Sequence, residues 1–303
     1  MLAAVVGTAG VACSPADDEA PTPRSATGAA TSPATPSSPL PAEVLAGLGV
    51  SIAQARLDRE RRVVQVRVAN SSGVDVTVVE ARLVAPGAAG TAVSTRERAA
   101  RSGVDRDLSV ALGAPRCDGP TSAPAGDASV ELDVVANGGR SGSWRGTPDD
   151  PNGVLTRIRR EDCAALAVAS GARLTLDPDV AVTEPVGGGR LTGSVTLRFE
   201  PVPGGPRVEV LQVDGTTLLT PSGGAASWPL TLDSADGPAE VTLAFEPARC
   251  DAHAVAEDKR GTFLGVRARV DGVDQEVVYL PPGDALRGAI RAYIGTACGW
   301  PDP

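Results

Sequence analysis

Two cysteine pairs, Cys117 with Cys163 and Cys250 with Cys298, stand at nearly equal separations of 46 and 48 residues, and each frames the same ordered signals. Arg116-Cys117-Asp118 leads to a strand-like run, VELDVVANG; Arg249-Cys250-Asp251 leads to FLGVRARVDG. Asn137-Gly138 and Asp271-Gly272 close those runs with dipeptides that tolerate the positive φ of tight hairpins. A short strand follows in each half, SGSWRG and QEVVYL, then a breaker, PDDPNG and PPGD. Last comes a helix-like run ending on the second cysteine, VLTRIRREDC and ALRGAIRAYIGTAC. In the latter, Leu286, Ile290, Tyr293 and Ile294 share one helical face. Asp150 and Asp284 are placed to cap the two helices. A series repeated in order is the mark of an internal duplication.

The stretches before each first cysteine alternate as half-buried strands do. VVQVRVA sets Val64, Val66 and Val68 on one face and Gln65 and Arg67 on the other. VDVTVVEARLV follows it, and LTGSVTLRF, PRVEVLQV and AEVTLAF take the same parts in the second half. Closely spaced strands with turn signals between them predict a mainly β chain of two tandem antiparallel β-sandwiches. Immunoglobulin-like topology, about seven strands, one short helix and one disulfide are expected of each. The copies are expected at 42–172 and 173–303, with the join near Gly171–Val182, where ARLTLDPDVAV begins. Of three possible pairings of four cysteines, only Cys117–Cys163 with Cys250–Cys298 keeps each bridge inside one copy. With aromatic residues at 3%, the core must come from Val, Leu and Ala.

Residues 1–12, MLAAVVGTAGVA, form an uncharged apolar run too short to span a bilayer, and are expected to be a signal peptide. Small residues precede Cys13, as they precede a cysteine that is lipidated. Gly10 departs from the leucine usual in such a motif, and the basic leader is missing, as a start assigned too far downstream would explain. Residues 14–41 hold seven prolines with many Ser and Thr, so 13–41 is expected to be a lipid-bearing Cys13 followed by an unfolded spacer. Paired cysteines fit the oxidising exterior that such a leader implies. The net charge of −9 disfavours nucleic acid, which needs a basic surface, so a lipid anchor is the only membrane attachment expected.

The only histidine, His253, and the only lysine, Lys259, fall together in RCDAHAVAEDKRGT, residues 249–262. No cofactor is implied there, since one imidazole beside Asp251, Glu257 and Asp258 is a poor zinc set, and no metal site is assigned. A serine triad would have to use His253, and no Gly-x-Ser-x-Gly elbow is present. Cys250 is spoken for by Cys298, which removes a cysteine–histidine pair. Gly187-Gly188-Gly189 lacks the lysine of a phosphate-binding loop. No catalytic residue is assigned. The segment reads as a solvated loop, with an ion pair such as Asp258–Arg260. Asp251, His253, Glu257, Asp258, Lys259 and Arg260 are the candidate contact residues for a protein partner at the cell envelope.

The Cys13 motif, the Ser/Thr/Pro spacer and the RCDAHAVAEDKRGT segment together resemble uncharacterised lipoproteins of actinobacteria. The resemblance implies a place on the outer face of the cell membrane, lipid-anchored, and nothing about activity. The expected function is that of an extracytoplasmic binding or scaffolding protein, with an envelope hydrolase or sugar-active enzyme as the alternative.

Overall fold

The computed structural model describes residues 38–117, 127–184, 189–258 and 260–300. The expected leader 1–12, Cys13, most of the expected spacer, Gly187-Gly188 and Lys259 lie outside the described residues. The last part of that spacer belongs to the fold: Pro39 bridges to Ser141, and Leu40 is buried in the first core.

The first repeat runs from a helical turn α1 (Ala42–Ala46) through β1 (Leu48–Ala53), β2 (Val63–Asn70), β3 (Val76–Val84), β4 (Ala92–Ser94), β5 (Arg98–Ala100), β6 (Arg106–Ala111), β7 (Ser129–Ala136) and β8 (Ser141–Gly146) to α2 (Val154–Gly171). Its sheets are β1-β2-β6 and β4-β3-β7-β8, with β5 also paired to β3. All pairings between these strands are antiparallel. The second repeat comprises β9 (Ala172–Leu176), β10 (Ala181–Thr183), β11 (Thr192–Pro201), β12 (Val208–Asp214), β13 (Leu219–Pro221), β14 (Ser227–Asp233), β15 (Ala239–Pro247), α3 (Ala252–Glu257), β16 (Leu264–Val270), β17 (Val273–Asp274), β18 (Val278–Leu280) and α4 (Asp284–Ala297). Its sheets are β10-β11-β15-β13, with β9 on β11, and β14-β12-β16-β17, with β18 on β16.

The two strand orders superimpose: β1-β2-β6 corresponds to β9-β11-β15, and β3-β7-β8 to β12-β16-β18. The chain is thus mainly β, with tandem immunoglobulin-like sandwiches. Period-2 burial drives each sheet. Val64, Val66 and Val68 are fully buried, and each such side chain stabilises by roughly 1.5–3 kcal/mol. Gln65, expected on the outer face, is buried too, and both ends of its amide are hydrogen-bonded. Its Oε1 accepts from Ala55 N at 2.9 Å, and its Nε2 donates to Asp58 at 2.7 Å. The scarce aromatics collect in the second core. Phe199 and Phe245 are fully buried there, and Tyr293 meets Phe245 edge-on at 5.3 Å.

The hairpin turns differ between the repeats. Asp271 and Gly272 both take positive φ and directly join Val270 to Val273. In the first repeat the turn holds three residues, and its positive φ values fall on Gly138 and Gly139. The caps differ as well. Asp150 accepts from Val154 N at 2.7 Å and Leu155 N at 2.9 Å. Asp284, expected to cap α4, sits inside its first turn and makes no cap bond there; Gly283 precedes it. Its partner is instead Arg287, 3.8 Å away.

Both disulfides form as paired by the repeat. Cys298 ends α4, but Cys163 lies in the middle of α2. The helix continues past it because AALAVAS is rich in Ala and Leu, which are good helix formers. That extension joins the repeats. Val154, Leu155 and Ile158 pack into the first core, while Ala164 and Val168 pack into the second. The helix leads without a linker into β9, and Gly171 ends it at a crowded crossing. A Cβ there would lie 2.2 Å from Pro206 O.

Candidate functional site

A cleft of about 740 Å³ opens where the two repeats meet. The first repeat supplies Arg56 and Arg59 from the 3₁₀ turn after β1. That turn is held by the two Gln65 hydrogen bonds described above, so a buried strand residue positions two surface arginines. The second repeat supplies the loop Asp214–Thr217, then Arg249, Ala254, Glu257, Asp258, Arg260, Phe263 and Gly265, with Val277 just before β18 and Tyr279 within it. An ion pair between Arg287 and Glu60, 3.8 Å apart, also spans the repeats.

The walls are built by local hydrogen bonding. Thr216 Oγ1 accepts from Leu218 N at 3.1 Å and Leu219 N at 2.9 Å, and donates to Gly261 O. The Thr217 hydroxyl donates to Asp258. Asp258 also accepts the amides of Arg260 at 2.9 Å and Gly261 at 2.6 Å. Those hydrogen bonds outweigh burial and hold its carboxyl below the usual carboxylate range. Asp258 is therefore a turn-former, and the expected Asp258–Arg260 ion pair does not form. The Arg260 guanidinium lies instead 4.2 Å over the ring of Tyr279.

The acidic lining is committed elsewhere. Asp214 pairs with Arg267 at 3.1 Å, and Glu257 lies 3.2 Å from His253 Nε2. The basic lining is not. Among the described residues, no carboxylate lies within 4.0 Å of Arg56, Arg59, Arg249 or Arg260. Arg59 Nε is shielded from solvent without an acceptor. Burial, and then the like charges of Arg157 and Arg260, push the Arg59 guanidinium below its ordinary pKa.

The segment expected to be a solvated loop is in part a helix. Asp251 caps α3, accepting from His253 N at 2.9 Å and Ala254 N at 3.2 Å, and the pattern D-A-H-A-V-A-E carries that cap in plain view. His253 is 83% exposed and is not among the lining residues, while Glu257, Asp258 and Arg260 line the cleft. The segment thus divides between an outer helix face and the cleft wall. No group of three or more His, Cys, Asp and Glu converges among the described residues. Arg56 and Arg59 carried no sequence signal beyond a basic run, because only the tertiary fold brings them to Arg249 and Arg260.

No protein-family profile and no curated protein matches the chain. Among solved structures, similarity is found to red sea bream transglutaminase, at 13% identity and a TM-score of 0.20, over 78% of this chain and 32% of that one. An exo-chitosanase from Amycolatopsis orientalis matches at 13% identity and a TM-score of 0.18, over 77% and 26%. The sporulation control protein Spo0M from Bacillus subtilis matches at 13% identity and a TM-score of 0.21, over 84% and 98%. The chain spans about a third or less of the first two proteins. At these scores none of the likenesses supports an inference.

Proposed function

We propose that the chain is a non-enzymatic binding protein of the cell envelope, lipid-anchored through Cys13 and held at the extracytoplasmic face of the membrane. Its recognition site is the cleft between the repeats together with the adjoining α3 face. The observation that carries this reading is the convergence of Arg56, Arg59, Arg249 and Arg260, from both repeats, on one cleft in which no carboxylate pairs with them. Guanidinium groups with no carboxylate within ion-pair distance at a shaped concavity are costly to a fold and useful to a binder. The two intrachain disulfides support folding in an oxidising compartment.

The outer face of α3, with His253 and Lys259 nearby in sequence, is offered to a protein partner. Crosslinking in membranes followed by recovery of the chain tests this. His253→Ala combined with Lys259→Ala should leave folding intact and reduce partner yield, whereas Arg59→Met should reduce it through the cleft. Recovery unchanged in both variants would remove the cleft and α3 as the recognition surface.

A further inference from the structure

The cleft has a definable ligand chemistry. Of its acidic groups, Asp214 is ion-paired with Arg267, Asp258 accepts one hydroxyl and two amides, and Glu257 lies 3.2 Å from His253 Nε2. Four guanidinium groups remain without acid partners in a chain whose net charge is −9. This local reversal of sign is created by folding, since Arg56 and Arg59 are far in sequence from Arg249 and Arg260.

The cleft is also part-organised for a ligand. Arg260 is braced by stacking 4.2 Å over Tyr279 and 5.4 Å from Phe263, which fixes the plane of its donors. Arg59 Nε already lies out of solvent with no acceptor, so its desolvation cost is borne by the empty fold. Guanidinium groups match carboxylate and phosphate oxygens in pairs, with short charge-assisted bonds. At about 740 Å³ the cleft has the size of small-molecule sites and far exceeds a bare inorganic ion.

We propose that the cleft between the repeats binds a small organic oxyanion, a carboxylate or a phosphate ester, through Arg56, Arg59, Arg249 and Arg260. This rests on the cleft being a recognition site, and it adds the class of ligand. A phosphate ester and a polycarboxylate share the recognising chemistry, and separate probes distinguish them.

The test is calorimetric titration and thermal unfolding of the full chain at low ionic strength. The probes are glucose 1-phosphate, citrate and inorganic phosphate, with glucose and sodium chloride as controls. Glucose 1-phosphate or citrate should bind saturably, raise the unfolding midpoint, and bind more weakly as salt is added. Arg59→Met should weaken that binding by at least about tenfold, which is one lost charge-assisted bond. It should also leave the ligand-free unfolding midpoint unchanged or higher, because a buried unpaired donor and its like-charge neighbours are relieved. A merely structural arginine would lower that midpoint. Arg260→Met serves as the second variant should Arg59→Met misfold, and Arg145→Met, outside the cleft, should bind as the unaltered chain does. Binding no tighter than glucose or chloride, or full binding in both cleft variants, overturns the proposal. If the small probes fail while Arg59→Met still lowers partner recovery from membranes, the oxyanion assignment falls and the cleft remains a recognition site.

Discussion

Single side chains here act through what they hold in place. Asp233 is held by the Arg207 guanidinium, Nε donating at 3.0 Å, and by the amide of Ala235 at 2.9 Å. These lower its carboxyl to about 2. A carboxylate whose folded pKa lies below its unfolded value, near 3.9, adds stability that is present above that value. The stability is lost as pH falls from about 4 to about 2. Urea midpoints measured at pH 5 and at pH 2.5 should therefore separate less in Asp233→Asn than in the unaltered chain. Equal separation would mean that the ion pair is formed in the unfolded chain as well. Tyr293 ties α4 to β15 and to the residue just before β11: its hydroxyl lies 2.9 Å from Leu191 O and 3.0 Å from Phe245 O. Tyr293→Phe leaves those carbonyls short of a buried donor, and should cost about 1–2 kcal/mol in chemical denaturation. A smaller loss would point to water entering from the α4 end.

At the scale of elements, the alternating strands and the duplicated landmarks were readable because both follow from local spacing. Val64, Val66 and Val68 could be placed from period alone, as could the apolar face Leu286, Ile290, Tyr293 and Ile294. The disulfide pairing followed from the repeat. Three features were not legible for physical reasons. The end of α2 depends on burial of Ala164 and Val168 against another repeat, so a cysteine looked like a natural stop. The buried state of Gln65 depends on Ala55 and Asp58 folding back over it. The cleft depends on arginines that only tertiary structure assembles, whereas the histidine that stood out by rarity is not among its lining residues. Each bridge closes a loop of nearly fifty residues, for which chain entropy gives about 4 kcal/mol. Replacing Cys250 and Cys298 together by serine should lower stability by about that amount, read from denaturant midpoints, with the strand content in circular dichroism retained.

The whole molecule behaves as two copies with one common beam. Since α2 contributes Ile158 to one core and Val168 to the other, neither sandwich can loosen without disturbing the helix. Trp144 lies in the first repeat and Trp228 in the second, so variants retaining one of them, with Trp300 replaced by Phe, report each copy separately. Both reporters should show one coincident urea transition, and Val168→Ala should shift both midpoints downward together. Two separated transitions would show that the copies unfold independently.

The shared helix has a consequence for how anything enters the notch between the copies. Jaws hung on a flexible hinge capture by shutting, and their speed is set by that motion. Here one helix packs into both copies, so the gap should keep its width when the proposed oxyanion fills it. Capture of the proposed ligand should then be governed by encounter and by the ionic atmosphere, and selectivity by what already fits.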